Sequence, residues 1–199
     1  MDFSVLIVIM MSAVLVNNFV LIQFLGICPF LGVSKSLKSA TSMGLSVLFV
    51  MVMAAAATWP VYVHILERNG LGFLQTIVFV LIIAVFVQFL EIALKKFIPA
   101  LHTSLGVYLP LMTTNCAVLA VTLVNINMEL SFIEAIVNAL GAGAGFLLAM
   151  VIFAGIREHT ENSNPPESVK GLPIALFSVA ILALAFFGFN GVIENMFGH

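Results

Sequence analysis

Two cysteines, Cys28 and Cys116, are the residues in this sequence best suited to redox or metal chemistry. A free cysteine in an apolar helix is by default a small hydrophobe, and two cannot build a disulfide framework of the secreted kind. Zinc takes thiolates, but neither cysteine has the nitrogen or carboxylate neighbours such a site needs. An iron–sulfur cluster takes four thiolates, so it would require a second pair from another copy of the chain or from a paralogue. Thr113, Thr114 and Asn115 directly precede Cys116 and could donate hydrogen bonds to sulfur, tuning a cluster's potential. With Asn17, Asn18, Gln23 and Gln88 they otherwise serve as uncharged glue between helices. His64, His102, His159 and His199 fall at the ends of apolar runs or between them, where solvation explains them, and there is no Cys-x-x-Cys-His haem signal. Glu91 precedes Lys95 by one helical turn, which suits a surface ion pair or, alternatively, a carboxylate on an ion path. No carboxylate lies in the middle of an apolar run, which argues against a self-contained proton relay.

The elements that position these residues follow from how rare charge is. Of 199 residues, 62% are hydrophobic and 8% charged, with a mean hydropathy of +1.22. A soluble domain carries about 25% charged residues, so the sequence describes an integral membrane protein. A net charge of −2 with scattered Lys and Arg gives nucleic acid no footprint. The start of the chain has no basic segment or small-residue cleavage site, so its first apolar run reads as a retained span. Stretches free of Asp, Glu, Lys and Arg lie between Asp2 and Lys35, Lys38 and Glu67, Arg68 and Glu91, Lys96 and Glu129, Glu134 and Arg157, and Lys170 and Glu194. Each is long enough for the roughly 20 residues of a spanning helix, and none alternates as a barrel strand does. Six spans put both termini on one side. Lys35, Lys38, Lys95, Lys96, Arg157 and Lys170 fall on the other and only Arg68 with the termini, so the termini are expected outside the cytoplasm. The polar stretch from Arg157 to Lys170 then reads as a cytoplasmic connection.

The first and fourth stretches, 32 residues each, open two groups of three spans. At an offset of 88, Cys28-Pro29-Phe30-Leu31-Gly32-Val33 falls on Cys116-Ala117-Val118-Leu119-Ala120-Val121. Because each group holds an odd number of spans, the second must be inserted upside down, as an inverted repeat. One straight helix of that length would run about 48 Å at 1.5 Å per residue, against a hydrocarbon core of about 30 Å. Breaks are therefore expected, the first at Gly26-Ile27-Cys28-Pro29 and the second between Pro110 and Asn115, placing each cysteine at a discontinuity. Gly141-Ala142-Gly143-Ala144-Gly145 lies within an apolar span and reads as a close-packing face rather than a nucleotide loop. The expectation is an all-α membrane protein, one integral domain over 1–199. Its six transmembrane helices form two inverted three-helix repeats, approximately 3–95 and 97–193, with a broken first helix in each.

LVNNFVLIQFLGICPFLGVSK, residues 15–35, and GVYLPLMTTNCAVLAV, residues 106–121, closely resemble the A-type membrane component of the Rnf complex, the ion-translocating ferredoxin:NAD oxidoreductase. The E-type component of the Na⁺-translocating NADH:quinone reductase (Nqr) is a close relative. VQFLEIALKKFIPAL, FAGIRE and FGFNGV extend the resemblance over nearly the whole chain. The paired asparagines before FLGICPFLGVSK and the TTNCAVL segment favour Rnf over Nqr, while Met112 and Ala120 depart from the usual Ile and Gly. The resemblance implies a subunit of a redox-driven translocase of the bacterial inner membrane, not catalytic alone. It implies a partner, a paralogous six-helix subunit of the Rnf E type in opposite orientation, beside the other Rnf subunits. Cys28 and Cys116 would then supply two of four iron ligands to a shared intramembrane [2Fe–2S] cluster, with Thr113, Thr114 and Asn115 around it. Electron passage through that site would be coupled to Na⁺ or H⁺ movement. The alternatives are an inverted-repeat secondary transporter or channel with non-ligand cysteines, and a scaffold with inert ones.

Overall fold

The structure, a computed structural model, describes residues 3–16, 18–34, 36–68, 72–97, 115–163 and 171–197. Asn17, Pro110, Thr113, Thr114, His102, His199 and the side chain of Lys95 lie outside the described residues. All regular structure among those described is helical, without a strand. Helix α1, Phe3–Met11, runs into a π-helical turn at Ser12–Val16, and α2 is a short helix at Ile27–Val33. Helix α3 covers Leu37–Val61 and α4 covers Gln75–Phe97. After them come α5, Cys116–Asn127, α6, Phe132–Asn162, and α7, Leu172–Phe197. Among the described residues three stretches are long and apolar enough to cross a membrane, Leu37–Leu66, Gly72–Phe89 and Phe132–Thr160, and shorter apolar helices lie at Cys116–Asn127 and Pro173–Gly188.

The first long run is interrupted, over a stretch that shares Gly26 with the expected break and lies before Pro29. The helix stops at Val16, and the chain turns through Asn18 to Gly26 before α2 begins. Pro29 is the third residue of α2, a position where the backbone N–H has no intrahelical acceptor, so the proline starts a helix instead of ending one. Asn18 makes the turn. Its buried Oδ1 accepts the N–H groups of Val20 (3.1 Å) and Leu21 (3.3 Å), and its Nδ2 donates to the carbonyl of Gly145 at 3.0 Å. Backbone polar groups at membrane depth need such internal partners. Phe24 and Gly26 both adopt positive φ, at 55° and 82°, and Gly26 leads directly into α2.

Helices α3 and α6 form the central pair, and glycine sets their separation. A Cβ on Gly44 would lie 2.5 Å from Leu147 Cδ1, and one on Gly143 would lie 2.9 Å from Leu48 Cα. Position 44 meets 147 while 48 meets 143, so the two helices run antiparallel. Gly141 and Gly145 lie on another face of α6, against the backbone of Met10 and Val14. Lipid is as apolar as leucine, so close backbone approach supplies the attraction that water would otherwise drive. Around this pair Met43, Val47, Met51, Phe146, Met150 and Phe153 are fully buried. Pro60 sits inside α3, and the helix widens just after it into π geometry at Tyr62–Leu66, with Glu67 N–H bonding to Tyr62 O at 3.0 Å.

Candidate functional site

The two cysteine segments meet. Cys28 is the second residue of α2 and Cys116 the first residue of α5, where Asn115 forms the N-cap. The Gly26 N–H, two residues before Cys28, donates to Cys116 Sγ at 2.9 Å. Both thiols are exposed at the surface of this chain, whereas their neighbours Pro29 and Ala117 are buried. The core thus fixes the backbone on either side and leaves the sulfurs on an open edge. Gly26 is needed twice over there. Its φ of 82° is left-handed, and a Cβ would lie 3.0 Å from Phe146 Cε2 and 3.1 Å from both Ala117 Cβ and Asn115 Oδ1.

Asn115 is 4% exposed. Its Oδ1 accepts the Ala117 N–H at 3.0 Å, which fixes the start of α5, and its Nδ2 finds no acceptor among the described residues. A buried amide donor without a partner marks a place where a further acceptor would be welcome. At the other end of α2, Arg157 Nη1 from α6 donates to Leu31 O at 2.9 Å and to Ser34 Oγ at 3.0 Å. Between these ends Phe30 stacks on Phe153 with ring centroids 4.5 Å apart.

The donor set fits part of an iron–sulfur site. Both thiols are exposed on segments that touch at Gly26 and Cys116, and Cys116 Sγ already accepts a backbone N–H, the kind of hydrogen bond that tunes cluster potential. No group of three or more His, Cys, Asp or Glu able to hold a metal occurs among the described residues, and the sequence has two cysteines where a cluster held by thiolates alone takes four. His64 lies well along the chain from both cysteines, and its ring Nδ1 is 3.2 Å from Pro60 O in the same helix.

The sequence profile of the Rnf-Nqr subunit membrane proteins matches residues 6–193. The chain belongs to the Rnf-Nqr family. It is 57% identical over 187 residues to the A component of the Na⁺-translocating ferredoxin:NAD⁺ oxidoreductase complex of Acetobacterium woodii, covering 94% of this chain and 97% of that protein. The A component of the ion-translocating oxidoreductase complex of Syntrophotalea carbinolica is 48% identical over 190 residues, covering 96% and 98% of the two chains. The protein of that name from Edwardsiella ictaluri is 47% identical over 186 residues, covering 94% and 96%. The resemblance carried by the two cysteine motifs therefore holds across the length of these Rnf-Nqr relatives.

Within this Rnf-Nqr fold some candidate residues come together and others do not. Asn115 caps α5 through the Ala117 N–H, while Thr113 and Thr114 lie outside the described residues. Asn18 does act as glue, although between a broken backbone and Gly145 rather than between two helices. Sequence reasoning placed Gly26 at a helix break and Arg157 among the orienting charges, but missed what each of them contacts. The signal for Gly26 was its place two residues before a cysteine in a run too long for one helix. For Arg157, the only sign was its being the one arginine on the expected cytoplasmic side.

Proposed function

We propose that this chain is the A-type membrane component of an ion-translocating ferredoxin:NAD oxidoreductase, and that Cys28 and Cys116 hold half of a [2Fe–2S] cluster shared with a paralogous six-helix partner. The observation that carries the reading is the 2.9 Å contact from Gly26 N–H to Cys116 Sγ. It joins residues 90 apart in sequence, and both thiols are exposed. A bound cluster would supply a one-electron relay inside the membrane. The protein's part is to present the two sulfurs at helix starts, to aim the Gly26 N–H at one of them, and to keep the surroundings apolar. Low dielectric disfavours added charge, so accepting an electron here favours movement of a compensating cation, Na⁺ or H⁺. That is the coupling we assign to the site.

We also propose the inverted repeat as the frame of this site, with six spans and both termini outside the cytoplasm of the bacterial inner membrane. Two features support it. Each half of the chain reads as a short helix starting at or one residue before its cysteine, followed by two further helices. The central pair α3 and α6 is antiparallel, with Gly44 against Leu147 and Gly143 against Leu48. Six of the seven basic residues on one side support the orientation.

Iron and acid-labile sulfide are to be measured in the chain co-purified with its paralogue. The reading expects two irons per pair, lost when Cys28 or Cys116 is replaced by Ala while the pair still assembles. Retention of iron and of ion-coupled electron transfer in both variants would overturn it.

A further inference from the structure

Helix α2 is only seven residues long, yet it carries a cysteine and leaves three carbonyls or more without helical partners at its end. Its C-terminus meets the one arginine of α6. Arg157 Nη1 donates to Leu31 O at 2.9 Å and to Ser34 Oγ at 3.0 Å, and Ser34 is the fully buried C-cap of α2. A guanidinium cannot lose its proton in a protein, and its rigid fork suits two acceptors at once. Positive charge at a helix C-terminus is favourable in itself.

Gly26 also meets Cys116 and Ala117 of α5, and α2 packs on α3, but three further contacts of this segment go to α6. Asn18 donates to Gly145 O, Gly26 sits against Phe146, and Phe30 stacks on Phe153. Phe146, Phe153 and Arg157 follow helical spacing, so one face of α6 meets both Gly26 and α2. Three of these four contacts are apolar packing or a neutral hydrogen bond. Only Arg157 contributes charge, and it acts at the end of α2 remote from Gly26.

We propose that Arg157 is a positioning residue for Cys28: by closing the C-terminus of α2 it fixes that helix against α6, and so fixes Cys28 on the segment whose Gly26 N–H meets Cys116. The inference rests on the cluster reading for its purpose but not for its test. Arg157 touches neither sulfur; it acts through Leu31 and Ser34.

The test places a nitroxide label on Cys28 in the full-length chain carrying Cys116→Ser, in membranes, and reads label mobility by electron paramagnetic resonance. Charge-assisted hydrogen bonds of this kind correspond to at least roughly a tenfold shift between seated and released helix. Arg157→Ala should therefore add a distinct mobile component, and Arg157→Lys, which keeps the charge but not the fork, should recover part of the immobile spectrum. Ser34→Ala, which removes one acceptor only, should give a smaller mobile fraction and serves if Arg157→Ala fails to accumulate. A label on Cys116 in the Cys28→Ser chain should not respond. In the assembled complex, Arg157→Ala should lower iron retention, with partial rescue by Lys. An unchanged Cys28 label in both Arg157→Ala and Ser34→Ala would overturn the proposal, as would equal responses at both cysteines. A responsive label together with an iron-free wild-type complex would instead refute the cluster reading and leave the positioning role standing.

Discussion

Replacing Gly26 by alanine tests the geometry of the cysteine edge most directly. At φ 82° an L-residue meets its own carbonyl, a penalty of about 1–2 kcal/mol. The new Cβ would also lie 3.0–3.1 Å from Phe146, Ala117 and Asn115. None of these can retreat freely, because all three are buried in the core, and overpacking of this kind costs about 1–3 kcal/mol. Together these give a loss of about 2–5 kcal/mol. The full chain can be unfolded in mixed micelles with increasing dodecyl sulfate, followed by fluorescence of Trp59, its single tryptophan. Gly26→Asn separates the two contributions: asparagine tolerates left-handed φ but keeps the Cβ. A milder effect for Asn than for Ala would assign the loss to backbone strain, and an equal or larger one to lack of space. Gly155→Ala is the control, since a Cβ there meets nothing within 4 Å; it should be neutral or slightly stabilising. If Gly26→Ala unfolds within about 0.5 kcal/mol of the parent chain, the range of an ordinary surface change, this account of the turn is wrong.

Other substitutions probe the frame. Gly143→Leu should abolish accumulation of the chain in membranes, because the obstacle is the backbone of Leu48; Gly44→Ala should be milder, since the nearest atom is the movable end of Leu147. Immunoblots of the membrane fraction decide this, and equal levels for both would contradict it. Asn138→Leu leaves the buried Oδ1 of Asn125 without its 2.7 Å donor and should cost about 1–3 kcal/mol. Adding Asn125→Leu should restore part of that loss in the same micelle titration. Trp59→Phe loses the 2.9 Å bond from Nε1 to Leu130 O but keeps a ring against Phe132. Circular dichroism should report a loss of about 0.5–1.5 kcal/mol.

Much of the fold is legible because charge in a membrane chain acts as punctuation. The stretches bounded by Lys38 and Glu67 and by Glu134 and Arg157 correspond to α3 and α6 nearly end to end. Excess length rightly foretells an interruption in the first run. The break shares Gly26 with the expected one but extends upstream of it, because a proline breaks a helix only in its interior and Pro29 stands in a first turn. The actual break depends on Asn18 reaching Gly145, a contact 127 residues apart that no local pattern encodes. The glycine run from Gly141 to Gly145 reads in sequence as one packing face. It is two, since Gly143 faces α3 while Gly141 and Gly145 face α1 and the turn after it. The Arg157 contact is equally hidden: an arginine at the end of an apolar span reads as an orientation signal, and only tertiary structure brings it to Leu31.

The paired glycine contacts between α3 and α6 have the form of an isologous interface, the kind that two identical protomers make across a two-fold axis. Here the self-complementary surface is folded within one chain. Each glycine is matched not to the other glycine but to a leucine one turn away on the opposite helix. Bulk at position 44 is therefore answerable only at 147, and bulk at 143 only at 48. Among related sequences these positions should vary as two linked pairs, a small residue gained on one side accompanying a large one on the other.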